Sequence, residues 1–188
     1  MNAKSKLNHL TLFLDLDGVI NQKLEGDYVK TWDEFKFCVN ALEAIAKLSK
    51  AYDKIIIVTN QRGVGKGVMS EVDLIEIHSN MVSEIINASG RIDSIYYCTD
   101  VHDGSPNRKP NIGMALQAKQ DFPEIEFFNS VMVGDSISDM EFARKLGMKR
   151  VFISIKNLNE LDIHELNFDL KFDSLITFAE NVKNGILD

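Results

Sequence analysis

Hydrophobic residues along this chain fall into five short runs that alternate with amphipathic segments. The runs predict buried strands at residues 10–17, 54–60, 94–100, 129–135 and 150–155. Helical patterns follow at residues 38–50, 70–89, 110–121 and 138–146, and a closing helix is expected at 173–184. This alternation predicts a Rossmann-like, doubly wound α/β fold, in which helices cover both faces of a parallel sheet.

Two positions mark helix starts, and nothing in the sequence divides the chain. Ser70 is expected to cap the helix over 70–89, and Pro110 is expected in the first turn of the helix over 110–121. No repeat, low-complexity tract or Pro/Gly-rich linker interrupts the pattern, and 188 residues suit one hydrophobic core. We therefore expect a single domain over residues 1–188.

The expected strands end on polar side chains, and parallel strands bring such ends to one edge of the sheet. These side chains are Asp15, Asp17, Thr59, Asn60, Asp100 and Asp135. Three aspartates at one edge would form the hard oxygen site that Mg²⁺ takes in proteins. The sequence thus predicts a magnesium site that involves Asp15, Asp17 and Asp135.

The segment "DLDG" at residues 15–18 supports this interpretation, because two like charges at the end of a buried strand repel each other. A cation would offset the repulsion, and Gly18 would let the chain turn sharply after Asp17. The alternative is that a lysine pairs with a buried Asp15 and that Asp17 only begins a turn. Agreement among several strand ends favours the metal site.

Composition narrows the class of partner. The formal net charge is -7, from 21 Lys and Arg against 28 Asp and Glu, which disfavours binding to nucleic acid. No apolar run reaches membrane-spanning length, and the amino terminus lacks the pattern of a secretion signal. The two cysteines, Cys38 and Cys98, are too few for a disulfide framework. We expect a cytoplasmic protein, with a monomer favoured and no membrane partner.

Four motifs, in this order, resemble those of the haloacid dehalogenase-like phosphatases. They are "DLDGVIN" (15–21), "VTNQRG" (58–63), "NRKP" (107–110) and "VGDSISDM" (133–140). Within that superfamily, Asn21 and the segments "TNQRGVGKG", "IYYC" and "RKPNIGM" resemble the D-glycero-D-manno-heptose 1,7-bisphosphate phosphatases and the related histidinol-phosphate phosphatases. The resemblance spans residues 10–155.

The resemblance implies a role for each motif residue. Asp15 would be the nucleophile that forms an aspartyl-phosphate, and Asp17 would act as acid and then as base. Thr59 would donate a hydrogen bond to the transferring phosphoryl group, and Lys109 would neutralise charge beside it. Mg²⁺ would bind a side-chain oxygen of Asp15, the backbone carbonyl of Asp17 and the side chain of Asp135.

Further residues are expected around this centre. Asp139 would support the metal indirectly, although a carboxylate that stabilises a helix N-terminus explains it nearly as well. The substrate-binding candidates are Asn21, Asn60, Arg62, Lys66 and Arg108. Arg108 would bind a second anionic or hydroxyl-rich part of the substrate. The alternative is that Arg108 pairs with Asp100 or Asp103 and holds a loop in place.

The chain departs from relatives that carry a zinc loop of Cys-x-His and Cys-x-Cys. Asp100 stands in place of the histidine, and "SPN" at 105–107 stands in place of the second cysteine pair. Cys98 and His102 alone are too few ligands for a structural zinc site, so no zinc is expected. Leu16 also departs, because the heptose enzymes usually have arginine between the two aspartates.

The spacing of the motifs leaves no room for a large cap domain. The interval 18–58 is filled by a flap and one helix, and the interval 60–108 by a loop, a long helix and a strand. Loops at 21–30, 61–69 and 99–108 would therefore exclude water and select the substrate.

These observations favour a Mg²⁺-dependent phosphoric monoester hydrolase that acts on a small sugar phosphate, most of all a heptose bisphosphate. Histidinol phosphate and a polynucleotide 3′-phosphate are alternative substrates, and the acidic charge disfavours the second. A non-enzymatic interaction module is the remaining alternative, but every catalytic position of the motifs is intact.

Overall fold

A parallel sheet of six strands forms the centre of the fold in a computed structural model that describes residues 10–24, 26–156 and 158–182. The strands are β1 (Thr11–Leu14), β2 (Lys54–Asn60), β3 (Ser94–Cys98), β4 (Ser130–Gly134), β5 (Lys149–Ile153) and β6 (Leu170–Phe172). Their order in the sheet is β3-β2-β1-β4-β5-β6, and every neighbouring pair is parallel.

Among the described residues, six helices lie between successive strands and a seventh follows the last strand. They are α1 (Ala41–Leu48), α2 (Arg62–Gly65), α3 (Glu71–Asn87), α4 (Gly113–Asp121), α5 (Ile137–Leu146), α6 (Glu160–Leu166) and α7 (Leu175–Val182). Short 3-10 turns lie at Trp32–Glu34 and Phe127–Asn129. Among the described residues, no helix has both the length and the apolar character needed to cross a membrane.

Successive strand residues face two different hydrophobic layers. In β1, Leu12 and Leu14 pack into the layer that contains buried residues of α1, α3 and α7, whereas Phe13 packs into the layer of α4 and α5. Strand β2 is buried along residues 55–59 because both of its faces are covered. The predicted doubly wound sheet is therefore confirmed.

The register of the central strands positions the polar residues that follow them. Leu14, the last residue of β1, lies opposite Ile57 of β2 and Val133 of β4. Because the three strands are parallel and in this register, Asp15, Thr59 and Asp135 all emerge at the same edge of the sheet.

Several boundaries differ from those predicted. Strand β1 ends at Leu14, and the N–H of the next residue, Asp15, still donates to the Val133 carbonyl of β4 at 2.9 Å. Helix α4 begins at Gly113, and Pro110 instead follows a cis peptide bond in the preceding loop. That loop stays outside the helix because the Asn60 side chain bonds both the N–H and the carbonyl of Lys109.

The C-terminal region adds two elements that the hydrophobic pattern did not indicate, helix α6 and strand β6. Strand β6 has only three residues, which is too short for an alternating pattern to stand out. Helix α7 lies within the predicted closing helix, and residues 183–184 of that prediction lie outside the described residues. Ser70 caps α3 as expected, in a reciprocal capping box with Asp73.

Candidate active site

Lys109 is buried at the centre of the polar strand ends. Its Nζ lies 2.8 Å from Asp15 Oδ1, 2.6 Å from Asp139 Oδ1 and 2.7 Å from the carbonyl oxygen of Val58. Lys109 thus donates hydrogen bonds to Asp15 and Val58 and forms an ion pair with Asp139, whose Oδ1 has no hydrogen-bond partner among the described residues. Burial alone would lower the pKa of Lys109, but the charges of Asp139 and Asp15 outweigh it and raise that pKa.

The aspartates around Lys109 repel one another. Burial, followed by the charge of Asp139, raises the pKa of Asp15 to about 7, although Lys109 acts in the opposite direction. Burial also raises the pKa of Asp135 above its usual range. Carboxylate oxygens of Asp15, Asp135 and Asp139 lie within 4.8 Å of one another. This cluster concentrates more negative charge than Lys109 alone can balance.

Asp135 meets a second cation, Lys23, which the sequence motifs did not indicate. Lys23 Nζ lies 3.2 Å from Asp135 Oδ2, and the Lys23 side chain is 57% exposed. Gly18 allows the approach of Asp135 to the first motif, because a Cβ at Gly18 would collide with the Asp135 carboxylate. Lys23 lies in the loop that follows β1, and no sequence pattern distinguishes it from other surface lysines.

The carboxyl group of Asp17 accepts hydrogen bonds from two side-chain amides. Asn21 Nδ2 donates to Oδ1 at 2.9 Å, and Gln61 Nε2 donates to Oδ2 at 3.0 Å. Gln61 Nε2 also donates to Thr59 Oγ1 at 3.0 Å, so the hydroxyl hydrogen of Thr59 stays available for another acceptor. Gln61 was not among the predicted site residues, although it lies inside the second motif.

The contacts of Asp139 are compatible with both roles considered from the sequence, namely support of the metal site and stabilisation of a helix N-terminus. Its Oδ2 accepts from the backbone N–H of Ser136 at 3.1 Å, which forms the capping box of α5. Its Oδ1 pairs with Lys109 and belongs to the carboxylate cluster. The fully buried Asp139 thus joins the start of α5 to the centre of the site.

A cavity of about 520 Å³ contains most of the predicted residues. Its lining includes Asp15, Asp17, Thr59, Asn60, Arg62, Lys66, Arg108, Lys109, Asp135 and Asp139. Asn21 is the exception, because it is 1% exposed and does not line this cavity. The structure therefore places Asn21 behind Asp17, where it contacts a carboxylate instead of the cavity that would hold a substrate.

Arg108 both lines the cavity and holds a loop. Its Nε donates to Asp103 Oδ1 at 3.1 Å, and Nη1 lies 3.4 Å from the carbonyl oxygen of Asp100. Arg62 pairs with the same Asp103 carboxylate from the opposite loop. These contacts support the alternative that Arg108 holds the loop in place. They use Nε and Nη1 of Arg108 but not Nη2.

Hydrogen bonds also connect the positions at which relatives carry a zinc loop. Cys98 Sγ lies 3.7 Å from Asp100 Oδ2 and 3.8 Å from Ser105 Oγ, and Ser105 Oγ donates to the Asp100 carboxylate. The buried His78 lies edge-on against the ring of Tyr97, and burial lowers its pKa to about 4. The expectation of no zinc stays a prediction.

Comparisons with known proteins agree on a class of phosphatase. The family described as Polynucleotide kinase 3 phosphatase matches residues 10–182. A D-glycero-alpha-D-manno-heptose-1,7-bisphosphate 7-phosphatase of Mycobacterium bovis is 40% identical over 138 residues, which are 72% of this chain and 72% of that protein. A D-glycero-beta-D-manno-heptose-1,7-bisphosphate 7-phosphatase of Rhodopseudomonas palustris is 34% identical over 144 residues, 72% of this chain and 78% of that protein.

A solved structure extends the similarity over nearly the whole fold. The crystal structure of D,D-heptose 1,7-bisphosphate phosphatase from B. bronchiseptica, complexed with magnesium and phosphate, matches with a TM-score of 0.82. The identity is 27%, and the match covers 93% of this chain and 98% of that chain.

The raised pKa of Asp15 predicts a pH-dependent stability. Because the folded state holds this proton more tightly than the unfolded chain, the metal-free protein should lose stability as pH rises from about 4 to about 7. Asp15→Asn removes the repelled charge, so we expect its melting temperature in chelator to exceed the wild-type value at pH 8 by at least ~2 °C. At pH 5 the two proteins should differ less.

Thermal melts at both pH values in EDTA test this expectation. Asp33→Asn, at an exposed position outside the cavity, is the matched control and should show no such pH-dependent gain. A melting temperature of Asp15→Asn that equals or lies below that of the wild type at pH 8 would contradict it.

Proposed function

The chain belongs to the polynucleotide kinase 3 phosphatase family of the haloacid dehalogenase-like phosphatases and is a phosphoric monoester hydrolase, and we propose that it removes one phosphate from a heptose 1,7-bisphosphate. Relatives named for this activity, which are 40% and 34% identical, support the substrate class. The observation that carries the proposal is the contact between Asp15 and the buried Lys109 at the floor of a cavity that also holds Asp17 and Thr59.

The proposed reaction has two steps, and each uses a group that lines the cavity. A carboxylate oxygen of Asp15 attacks phosphorus, the ester P–O bond breaks, and Asp17 gives its proton to the leaving oxygen. Water then attacks the aspartyl-phosphate and gives a proton to Asp17, while the bond from phosphorus to Asp15 breaks and phosphate leaves. Thr59 donates its hydroxyl hydrogen to the phosphoryl group, and Lys109 balances the charge.

The donor set fits Mg²⁺. Asp15, Asp135 and Asp139 offer hard oxygen atoms close together, and burial raises the pKa values of Asp15 and Asp135 as expected for carboxylates that lack enough positive charge. We propose Asp15, Asp135 and the Asp17 carbonyl as ligands, with Asp139 in support. Bound there, Mg²⁺ would favour the ionised form of Asp15 and neutralise phosphoryl charge.

We expect a phosphate-release screen with Mg²⁺ to identify a heptose 1,7-bisphosphate as the preferred substrate. The screen compares both anomers of that sugar with histidinol phosphate and a 3′-phosphorylated oligonucleotide. The oligonucleotide is included because the matching family is described as Polynucleotide kinase 3 phosphatase. The expected result is the highest kcat/KM on a heptose bisphosphate and release of one phosphate per sugar.

Asp15→Asn provides the background of the screen. It should retain less than about a hundredth of the activity, because an amide cannot form the acyl-phosphate. A higher kcat/KM on the oligonucleotide than on the heptose bisphosphate would show that the proposed substrate is wrong. An active Asp15→Asn variant would show that Asp15 is not the nucleophile.

Lys23 is expected to compete with Mg²⁺ for Asp135, since both are cations that this carboxylate attracts. Lys23→Met should therefore bind Mg²⁺ about three- to tenfold more tightly, a modest gain because the lysine is largely exposed. Calorimetric titration without substrate measures the dissociation constant. Lys36→Met makes the same change at an exposed position that does not line the cavity, and equal tightening in both variants would exclude a local competition.

Arg108 is expected to bind the phosphate that is not transferred. Arg108→Ala should reduce kcat/KM for the heptose bisphosphate by roughly ten- to a thousandfold and barely change the hydrolysis of a small aryl phosphate, because remote binding energy is lost only where a remote group exists. Steady-state kinetics on both substrates measure this difference.

Asp103→Asn is the matched control, because it weakens the loop contact of Arg108 but keeps the guanidinium group. We expect a smaller and less selective loss from it. If both variants lose activity equally on both substrates and melt at lower temperature, Arg108 acts through the loop.

A further inference from the structure

We propose that Asn21 and Gln61 are positioning residues that hold the Asp17 carboxyl group in the orientation needed for both of its proton transfers. The inference rests on the proposed function, because it assumes that Asp17 is the acid and base. It also replaces the interpretation of Asn21 as a substrate contact and gives a role to Gln61, which the motif analysis did not assign.

The two amides reach Asp17 from different parts of the chain. A tight turn after Asp17, in which the Gly18 N–H donates to the Asn21 carbonyl at 2.7 Å, returns the Asn21 side chain to Oδ1. Gln61 follows strand β2, and its backbone N–H donates to the Cys98 carbonyl at 2.7 Å before its side chain reaches Oδ2. Each carboxyl oxygen is therefore fixed by one amide from a separately anchored segment.

These contacts determine the rotation of the carboxyl group. A single hydrogen bond would leave the carboxyl plane free to turn, whereas one donor on each oxygen defines it. Each oxygen keeps further lone-pair capacity for a proton or a substrate atom. Gln61 Nε2 also contacts Thr59 Oγ1, so the same amide sets the spacing between the acid–base group and the hydroxyl that would contact the phosphoryl group.

The burial of Asn21 points to a role beyond packing. Among the described residues, its Oδ1 has no hydrogen-bond partner, and a buried acceptor without a partner costs about 1–3 kcal/mol. An apolar side chain of similar size would avoid that cost. The Nδ2 of Asn21 donates to Asp17 Oδ1 at 2.9 Å and to the Gln22 carbonyl at 3.2 Å, and the contact with the Asp17 carboxyl group accounts for a buried amide at this position.

Kinetics of Asn21→Leu and Gln61→Met separate positioning from substrate binding. Both variants remove the amide donor with little change in size, so we expect kcat for the heptose bisphosphate to fall about ten- to a hundredfold. The KM should change less than about threefold, because Asn21 does not line the cavity and Gln61, which does, uses both Nε2 hydrogens on Asp17 and Thr59. Loss of substrate contacts would instead raise KM at an unchanged kcat and would overturn the proposal.

A pre-steady-state experiment provides a second readout that a merely structural role would not change. An aryl phosphate with a good leaving group needs no proton from Asp17 in the first step, but hydrolysis of the aspartyl-phosphate still needs Asp17 as base. The variants should therefore release a burst of phenol that approaches one per active site, followed by slow turnover. Slow turnover without a burst would contradict the proposal.

Gln22→Met is the matched control. Gln22 is the neighbour of Asn21, and its amide donates to the exposed carbonyl of Phe37 at 3.1 Å, away from Asp17. Its kinetics should equal those of the wild type. A fall in kcat like that of Gln61→Met would instead assign the effect to the whole loop that contains Asn21 and Gln22. Should Asn21→Leu fail to fold, Gln61→Met tests the same carboxyl group from the other segment.

Failure of the proposed function can be told apart from failure of this inference. Acid quenching of the wild type with labelled aryl phosphate should leave label on the protein, and Asp15→Asn should take up none. If the wild type never carries label and Asp15→Asn stays active, the covalent mechanism itself is wrong. If the label appears but the amide variants behave like wild type, only the positioning role is wrong.

Discussion

The contact of Lys109 with two buried aspartates is the interaction on which the site depends. Lys109 joins Asp15 at the end of β1, Asp139 at the start of α5 and the Val58 carbonyl in β2, so three separate elements meet at one ammonium group. Loss of Lys109 would leave two buried carboxylates uncompensated, at a cost of about 3–5 kcal/mol, whereas loss of Asp15 alone leaves Lys109 paired with Asp139. The same charges that hold these elements together also set the pKa of Asp15, the proposed nucleophile, so one cluster of side chains affects both stability and the proposed chemistry.

The balance of charge explains why this edge of the sheet suits an anionic substrate despite its aspartates. Lys109 and Lys23 face the carboxylates of Asp15, Asp135 and Asp139, so the five groups carry a formal charge of -1 when ionised. A divalent cation would change the sign of that sum and let a phosphate approach. Without such a cation, burial and mutual repulsion raise the pKa values of Asp15 and Asp135.

The sequence was informative where a residue's position follows from strand alternation and register. The meeting of Asp15, Thr59 and Asp135 at one edge of the sheet follows from buried runs that end on polar residues, although β1 ends earlier than predicted. Contacts set by turns and side-chain rotamers could not be predicted this way. The Asn21 side chain turns behind Asp17, and Lys23 reaches Asp135 from the flap, because of loop geometry that no periodic pattern records.

Without a cap domain among the described residues, the loops themselves have to present the cationic side chains of the cavity. Arg62 and Arg108 come from different loops but share the Asp103 carboxylate, so one acidic residue joins the two walls. Lys66 lies over the ring of Tyr28, with Nζ 5.3 Å from the ring centre, which joins a third segment by a cation–π contact. The Asp103 side chain is largely exposed, so its ion pairs are individually weak. Paired charges therefore hold the cations of the cavity rim in place, where they would select the substrate, and the proposed reaction would take place at the buried centre around Lys109.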